Sequence, residues 1–161
     1  MSTILLTGMS GTGKSTVLAA LADRGVRVVD LDDDAWSLEV GGGDDGGLEQ
    51  LWREDLVAAL LSSVGPDGLV LAGCASNQGK FYDRFDEVIL LTAPVEVLLE
   101  RIRSRSTNDF GKSAEERLRI LVDVEYVQPL LQRTSTLEFD ATLPVRAIAD
   151  AIEERLRAAS T

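Results

Sequence analysis

The sequence predicts an α/β fold in which a five-stranded, mostly parallel sheet has helices on both faces and a short lid. Short apolar runs alternate along the chain with segments of helical periodicity, a pattern typical of parallel sheets built from strand–helix units. A glycine-rich turn joins the first apolar run to the first helical segment. In such sheets ligands bind at the carboxyl ends of the strands. The residues that follow each strand are therefore the first candidates for a functional site.

The predicted elements follow one another in regular order. Short apolar runs bounded by turn residues predict strands at 3–7, 26–29, 69–73, 87–92 and 137–139. Apolar residues that recur every three or four positions predict helices at 14–24, 48–64, 95–103, 114–131 and 144–158. Two segments fit neither pattern, the glycine-rich 41–47 and the polar, basic 103–113, and their composition is typical of solvated loops.

Length, charge and composition narrow the class of protein. The 161 residues predict a single domain, 1–161. The formal net charge of −11 disfavours a nucleic-acid partner, because an acidic surface repels phosphate backbones.

Membrane-helix and signal-peptide patterns are absent and the chain has one cysteine, so we expect a cytoplasmic protein with no membrane partner. The chain has no histidine, so any general base must be a carboxylate. Monomer and homodimer both stay open.

The glycine-rich turn matches a phosphate-binding motif. Residues 8–15 read GMSGTGKS, which fits G-x-x-x-x-G-K-[ST] between a strand and a helix. Glycines let successive N–H groups converge on a phosphate, and the helix start adds positive potential. Lys14 would reach the β- and γ-phosphates, and the Ser15 hydroxyl would ligate Mg²⁺. The motif thus predicts a P-loop NTPase three-layer sandwich with ATP and Mg²⁺ as cofactors. Its nucleotide site would comprise Met9, Ser10, Gly11, Thr12, Gly13, Lys14, Ser15 and Thr16.

Carboxylates cluster after the second predicted strand, at Asp30, Asp32, Asp33 and Asp34. Phosphoryl transfer needs an acceptor hydroxyl held in line with the γ-phosphate, and a nearby carboxylate can orient that hydroxyl and take its proton. The guanine-reading motif N-K-x-D is absent, which favours ATP over GTP. The alternative interpretation is a solvated helix start, because Asp is a common helix N-cap.

The stretch GMSGTGKSTVLAALADRGVRVVDLDD resembles the opening of the shikimate kinase and gluconate kinase group of small P-loop kinases, which have a nucleoside-monophosphate-kinase-like fold. The resemblance implies that Asp30 helps to hold Mg²⁺ and that Asp32 lies at the acceptor hydroxyl. The segment VILLTAPVEVLLERIRSR is similar to the strand and helix that lead into the lid of that group, which implies that 103–113 is the lid. By that similarity Arg101 would stack on adenine and Arg105 would reach the transferring phosphate. The segment FDATLPVRAIADAI resembles the adenine loop of the group, which would place Pro144 on the other face of the base.

The expected acceptor region departs from the shikimate kinase pattern. Shikimate kinases carry G-G-G where this chain has GCASNQGK (73–80), and the arginine that they carry before a P-L pair is missing from EYVQPLL. Shikimate is therefore not the expected acceptor. Asn77, Gln78 and Lys80 suit a polyol or a sugar, Lys80 also suits an anionic group, and Arg53 is a further candidate within an acceptor-binding region at 32–64. The alternative is a polar turn beside a solvated ridge.

Together these patterns predict an ATP-dependent phosphotransferase that moves the γ-phosphate to a hydroxyl of a small molecule, such as a polyol, sugar or hydroxy acid. The predicted catalytic residues are Lys14, Asp32 and Arg105. One alternative is a nucleoside or nucleotide kinase with a base near 41–47 and 74–80. An alternative from another class is a nucleotide-dependent switch that acts on a protein partner. Cys74 is expected to be a small core residue rather than a nucleophile, because no base partner is evident.

Overall fold

The structure, a computed structural model, describes residues 2–41, 48–105 and 112–158. Its strands, in chain order, are β1 (Thr3–Gly8), β2 (Val28–Asp30), β3 (Ser37–Gly41), β4 (Leu48–Trp52), β5 (Leu69–Ala72), β6 (Glu87–Thr92) and β7 (Leu137–Asp140). Five of them form a sheet in the order β2-β5-β1-β6-β7, and every pairing in it is parallel. The predicted five-stranded parallel sheet is therefore confirmed.

Within the described ranges, six α-helices and one 3₁₀ helix surround the sheet. The α-helices are α1 (Lys14–Asp23), α2 (Glu54–Ser62), α3 (Val95–Ser104), α4 (Ala114–Tyr126), α5 (Gln128–Thr134) and α6 (Val145–Ala158), and the 3₁₀ helix spans Gln78–Arg84. Ser113 caps α4, since its hydroxyl accepts a hydrogen bond from the Glu116 amide at 3.1 Å. Among the described residues, no helix has the length and apolar character needed to cross a membrane.

The core has two sides because successive residues of a strand point to opposite faces of the sheet. Ile4 and Leu6 of β1 pack with α1 and α6 on one face. Leu5 faces the other way and packs with Trp52, with α2 and with aromatic residues of the 3₁₀ helix. Next to this second group, Leu90 packs with residues of α3 and α5. The sheet therefore lies between two helical layers, as the three-layer prediction requires.

The predicted helix at 48–64 is wrong in its first third. Residues Leu48–Trp52 form β4, which pairs antiparallel with β3, a strand that the periodicity did not predict. The helix α2 begins only at Glu54. Paired apolar residues such as Leu51 and Trp52 fit a helical stripe as well as a short strand, so their spacing alone could not separate the two. Cross-strand pairing with 37–41 decides for the strand.

Two further predictions are modified. The single helix predicted at 114–131 consists of α4 and α5, with Val127 between them; Pro129 has no N–H group with which to continue the hydrogen-bond ladder of α4. The segments predicted as solvated loop and lid fall mostly at 42–47 and 106–111, which lie outside the described residues. Of the predicted lid, 103 and 104 belong to α3.

The packing of α1 on the sheet gives a first testable prediction. Leu21 of α1 is fully buried, whereas Leu118 of α4 is 61 % exposed. We expect Leu21→Ala to lower the free energy of unfolding by about 2–5 kcal/mol, because it leaves a cavity between α1 and the sheet. Leu118→Ala is the matched control, and its effect should stay within about 0.5 kcal/mol. Urea titration followed by circular dichroism measures both, and equal effects would contradict the assignment of α1 to the core.

Candidate active site

The glycine loop connects β1 to α1 at the carboxyl edge of the sheet. Gly11 has a φ of +87°, and a Cβ there would lie 2.9 Å from the carbonyl oxygen of Leu98, so only glycine suits the position. The Thr12 hydroxyl donates to the Met9 carbonyl at 2.8 Å and holds the loop in shape. Gly13 is the N-cap of α1 and has no side chain to occupy the helix start. The first N–H groups of α1 therefore suit an anionic ligand.

Lys14 and Ser15, the first two residues of α1, point to different parts of this edge. The Lys14 ammonium group donates to the carbonyl oxygens of Gly8 at 2.6 Å and Met9 at 3.2 Å, so it lies across the loop. The Ser15 hydroxyl donates to Oδ2 of Asp30 at 3.2 Å. The structure thus brings the two predicted metal-binding residues together.

The side chains of Ser15 and Asp30 are suitable ligands for Mg²⁺. Hydroxyl and carboxylate oxygens are the hard donors that Mg²⁺ prefers, and the ion usually takes further ligands from phosphates and water. Within the described part of the chain, no group of three or more acidic, histidine or cysteine side chains is arranged to hold a metal ion by itself. A magnesium ion at Ser15 would therefore share its coordination sphere with the nucleotide.

Asp32 lies two residues beyond Asp30, and hydrogen bonds from other segments of the chain fix its carboxylate. Its Oδ1 accepts hydrogen bonds from the Gln50 side-chain amide at 2.7 Å and from the Cys74 backbone amide at 3.0 Å. Its own backbone N–H donates to Oδ1 of Asp30 at 3.0 Å. Burial raises the pKa of the Asp32 carboxyl group above its ordinary value, while the charge of Lys14 and the Cys74 amide oppose that rise. Asp32 is thus a desolvated carboxylate within the electrostatic reach of Lys14.

Besides Asp32, the four other residues predicted to bind an acceptor have different surroundings. Asn77 is 9 % exposed and Gln78 is 3 % exposed, and both side-chain amides are used inside the chain. Asn77 bonds both backbone groups of Trp52, and Gln78 bonds the Ala75 amide and the Thr7 hydroxyl. Lys80 forms a salt bridge of 3.0 Å with Glu54, and Arg53 is an exposed residue at the start of α2. Their predicted contacts with an acceptor stay predictions.

The predicted adenine-binding residues lie at the other end of the glycine loop. Arg101 of α3 donates to the carbonyl oxygens of Gly11 and Thr12, both at 3.4 Å, and to that of Ala141 at 2.7 Å. It therefore joins the glycine loop to the segment that precedes α6. Pro144 is exposed in that same segment. The structure thus joins Arg101 to the segment that contains Pro144, and the contact of either residue with a base stays a prediction.

Arg105 follows α3 at the point where the predicted lid begins. Burial lowers the pKa of its guanidinium group, and the negative charge of Glu116 on α4 opposes that change. The residues immediately after Arg105 lie outside the described ranges. Its predicted approach to a transferring phosphate therefore stays a prediction.

The structure adds three residues that the sequence did not single out. Gln50 contacts Asp32 from β4. A Cβ at Gly73 would lie 2.9 Å from Oδ1 of Asp32 and 3.2 Å from the ring of Trp52, so the absence of a side chain there leaves room for both. The buried Trp52 indole nitrogen lies beside the Asp32 carboxylate and opposes the rise in its pKa that burial causes, although the two are not joined by a hydrogen bond of ordinary geometry. Only Gly73 had a signal in the sequence, its place directly after a predicted strand.

Cys74 lies at the end of β5 beside this site and has a free thiol. Burial raises the pKa of that thiol. A neutral thiol is a weak nucleophile, so its environment agrees with the expected structural role.

Comparisons with known proteins bear on the fold and the family. A family model described as an AAA domain matches residues 4–121, well over half of the chain. Shikimate kinase from Bacteroides thetaiotaomicron has a similar structure, with a TM-score of 0.63 at 21% sequence identity over 97% of this chain and 98% of that chain. Shikimate kinase from Acinetobacter baumannii, solved in complex with shikimate, gives a TM-score of 0.68 at 18% identity over 98% of this chain and 94% of that chain.

A third similar structure is a gluconokinase from Sinorhizobium meliloti, with a TM-score of 0.56 at 19% identity over 99% of this chain and 93% of that chain. No curated protein matches the sequence. The fold likeness to shikimate kinase and gluconokinase confirms the predicted resemblance at the level of structure. With its glycine loop inside the matched region, the chain belongs to the AAA domain family and has the P-loop fold of these kinases.

Proposed function

We propose that the protein transfers the γ-phosphate of ATP to a hydroxyl group of a small molecule. The observation that carries this proposal is the meeting of two groups at one edge of the sheet. Lys14 lies on the glycine loop, and the half-buried Asp32 lies within reach of its charge. A cation that stabilises the transferring phosphoryl group and a carboxylate that takes the acceptor proton are the two functions that this reaction requires.

In this proposal each residue acts on a separate part of the reaction. The glycine loop and Lys14 bind the phosphates, and Ser15 with Asp30 holds a nucleotide-bound Mg²⁺ ion, which neutralises phosphate charge when bound. Asp32 orients the acceptor hydroxyl and accepts its proton. Arg101 and Pro144 contact the adenine, and Arg105 approaches the γ-phosphate from the lid.

The acceptor we propose is a polyol, a sugar or a related hydroxy compound. The departures from the shikimate kinase pattern at 73–80 and 125–131 support an acceptor other than shikimate. A nucleoside acceptor and a switch that acts on a protein partner are the alternatives that the first experiment separates.

The first prediction from the proposed function concerns Lys14. ADP release from ATP and Mg²⁺, measured across pools of sugars, polyols, hydroxy acids, amino acids, nucleosides and nucleoside monophosphates, should rise well above the acceptor-free rate in one pool. Lys14→Ala should reduce that rate by on the order of 10³-fold, since it removes the charge that stabilises the transferring group. Stimulation by nucleosides or nucleoside monophosphates alone would favour the nucleoside or nucleotide kinase, and slow release that no pool stimulates would favour the switch.

The second prediction concerns the role of Asp32. Asp32→Asn keeps the shape of the side chain and removes the proton acceptor, so kcat should fall by on the order of 10²-fold. The affinity for ATP should change little, because Asp32 is assigned to the acceptor. Steady-state kinetics gives kcat, and titration with a fluorescent ATP analogue gives the affinity. Wild-type turnover by Asp32→Asn would refute the assignment.

The third prediction uses the room around Gly73. The added methyl group of Gly73→Ala would meet Oδ1 of Asp32 at 2.9 Å, a contact that the carboxylate must move to relieve. We expect kcat to fall by at least about tenfold, because small displacements of a reacting group are costly. Gly79→Ala is the matched control, since its nearest neighbour would be a Tyr82 ring atom at 3.8 Å. Equal kcat values for the two variants would show that this contact does not matter.

A further inference from the structure

The Asp32 carboxylate is fixed from outside its own strand. The torsion that rotates an aspartate carboxylate has broad, weakly defined minima, so the side chain does not orient itself. Two donors from distant parts of the chain, the Gln50 amide and the Cys74 N–H, converge on the same oxygen, Oδ1. A carboxylate held at one oxygen presents the other, Oδ2, in a defined direction. Oδ2 is then the oxygen that can receive an acceptor hydroxyl.

Gln50 is suited to this task because its amide is neutral. The charged groups that act on Asp32 are Lys14 and Asp30. An ionised carboxylate only accepts hydrogen bonds, so Gln50 must present its amide nitrogen, which it does at 2.7 Å. The hydrogen bond from Gln50 therefore orients the Asp32 carboxylate and adds no second positive charge beside that of Lys14.

Strand β4, which carries Gln50, is in turn attached to the segment after β5. The Ser76 amide donates to the Gln50 carbonyl at 3.1 Å. The Asn77 side chain accepts a hydrogen bond from the Trp52 N–H at 2.9 Å and donates one to the Trp52 carbonyl at 3.0 Å. It thus binds both backbone groups of Trp52, as the backbone of a paired strand does. Because Trp52 is only 2 % exposed, these bonds are shielded from water. The position of Gln50 is therefore set by 76–77 as well as by the β3–β4 pairing.

We propose that Gln50 is a positioning residue, which orients Asp32 for phosphoryl transfer, and that Asn77 supports it by fixing β4. This inference rests on the proposed function, since it assigns Gln50 a part in the reaction assigned to Asp32. Asn77, expected from the sequence to contact the acceptor, acts here through the backbone of Trp52.

A double-mutant cycle tests whether Gln50 acts through Asp32. Gln50→Met keeps the length of the side chain and removes the donor. In the wild-type background it should lower kcat by about tenfold, the effect of losing one hydrogen bond to a charged group. The KM for ATP should stay unchanged. In the Asp32→Asn background the same substitution should change kcat less than about twofold, because the two residues then no longer act as a unit.

Controls separate this role from a purely structural one. Gln132→Met is the matched control and should leave kcat unchanged, because Gln132 also donates to a carboxylate, that of Glu138, but is exposed and has no part in the proposed site. Gln50→Ala is the second variant if Gln50→Met packs poorly, and near-ultraviolet circular dichroism of the buried Trp52 reports whether β4 keeps its place. An equal loss of kcat from Gln50→Met in both backgrounds would overturn the inference, as would wild-type kcat in folded Gln50→Met. Absence of acceptor-stimulated transfer by the unmodified protein would reject the proposed function, and with it this inference.

Discussion

The parallel pairing of β2, β5 and β1 is the constraint on which the rest of the site depends. These three strands end at the same edge, and hydrogen bonds continue beyond their last residues: the Leu31 amide donates to the Ala72 carbonyl at 2.7 Å, and the Gly73 amide to the Leu6 carbonyl at 3.1 Å. These bonds fix the positions at which three functional segments begin: the glycine loop, the Asp30–Asp32 segment and the 73–78 segment. A shift of register by one residue would turn each of these strands over and separate Ser15 from Asp30.

A second layer of contacts converts this backbone alignment into side-chain geometry. Asp32 bonds to the Cys74 amide of the neighbouring strand end and to Gln50 of the β3–β4 pair. Trp52, the last residue of β4, packs against Phe81 of the 3₁₀ helix with 6.1 Å between the ring centres. A buried carboxylate needs such donors, because desolvation otherwise favours its neutral form. The donors from Gln50 and Cys74 therefore favour the charged form of Asp32 against the effect of its burial.

The sequence was informative where a single local pattern decides the structure. The strand–glycine loop–helix order gave the parallel sheet and brought Ser15 to Asp30, because loop and carboxylates both follow strands of that sheet. Sequence periodicity did not predict β3 and β4, because these strands depend on pairing between separate segments, such as Ser37 with Trp52. Such a pairing leaves no periodic pattern within either segment. For the same reason Gln50 stayed hidden: its role comes from the position of a strand that the periodicity assigned to a helix.

The hairpin also explains why the acceptor side was harder to interpret than the nucleotide side. Phosphate is bound mainly by backbone N–H groups, and the glycines that allow this leave a fixed motif in the sequence. An acceptor is recognised by side chains whose availability depends on their partners. Asn77 and Gln78 have suitable chemistry for a polyol, yet their amides hold Trp52 and Thr7 in place. Residue type therefore suggests what a loop can bind, whereas hydrogen-bond partners determine which of its groups remain for a ligand.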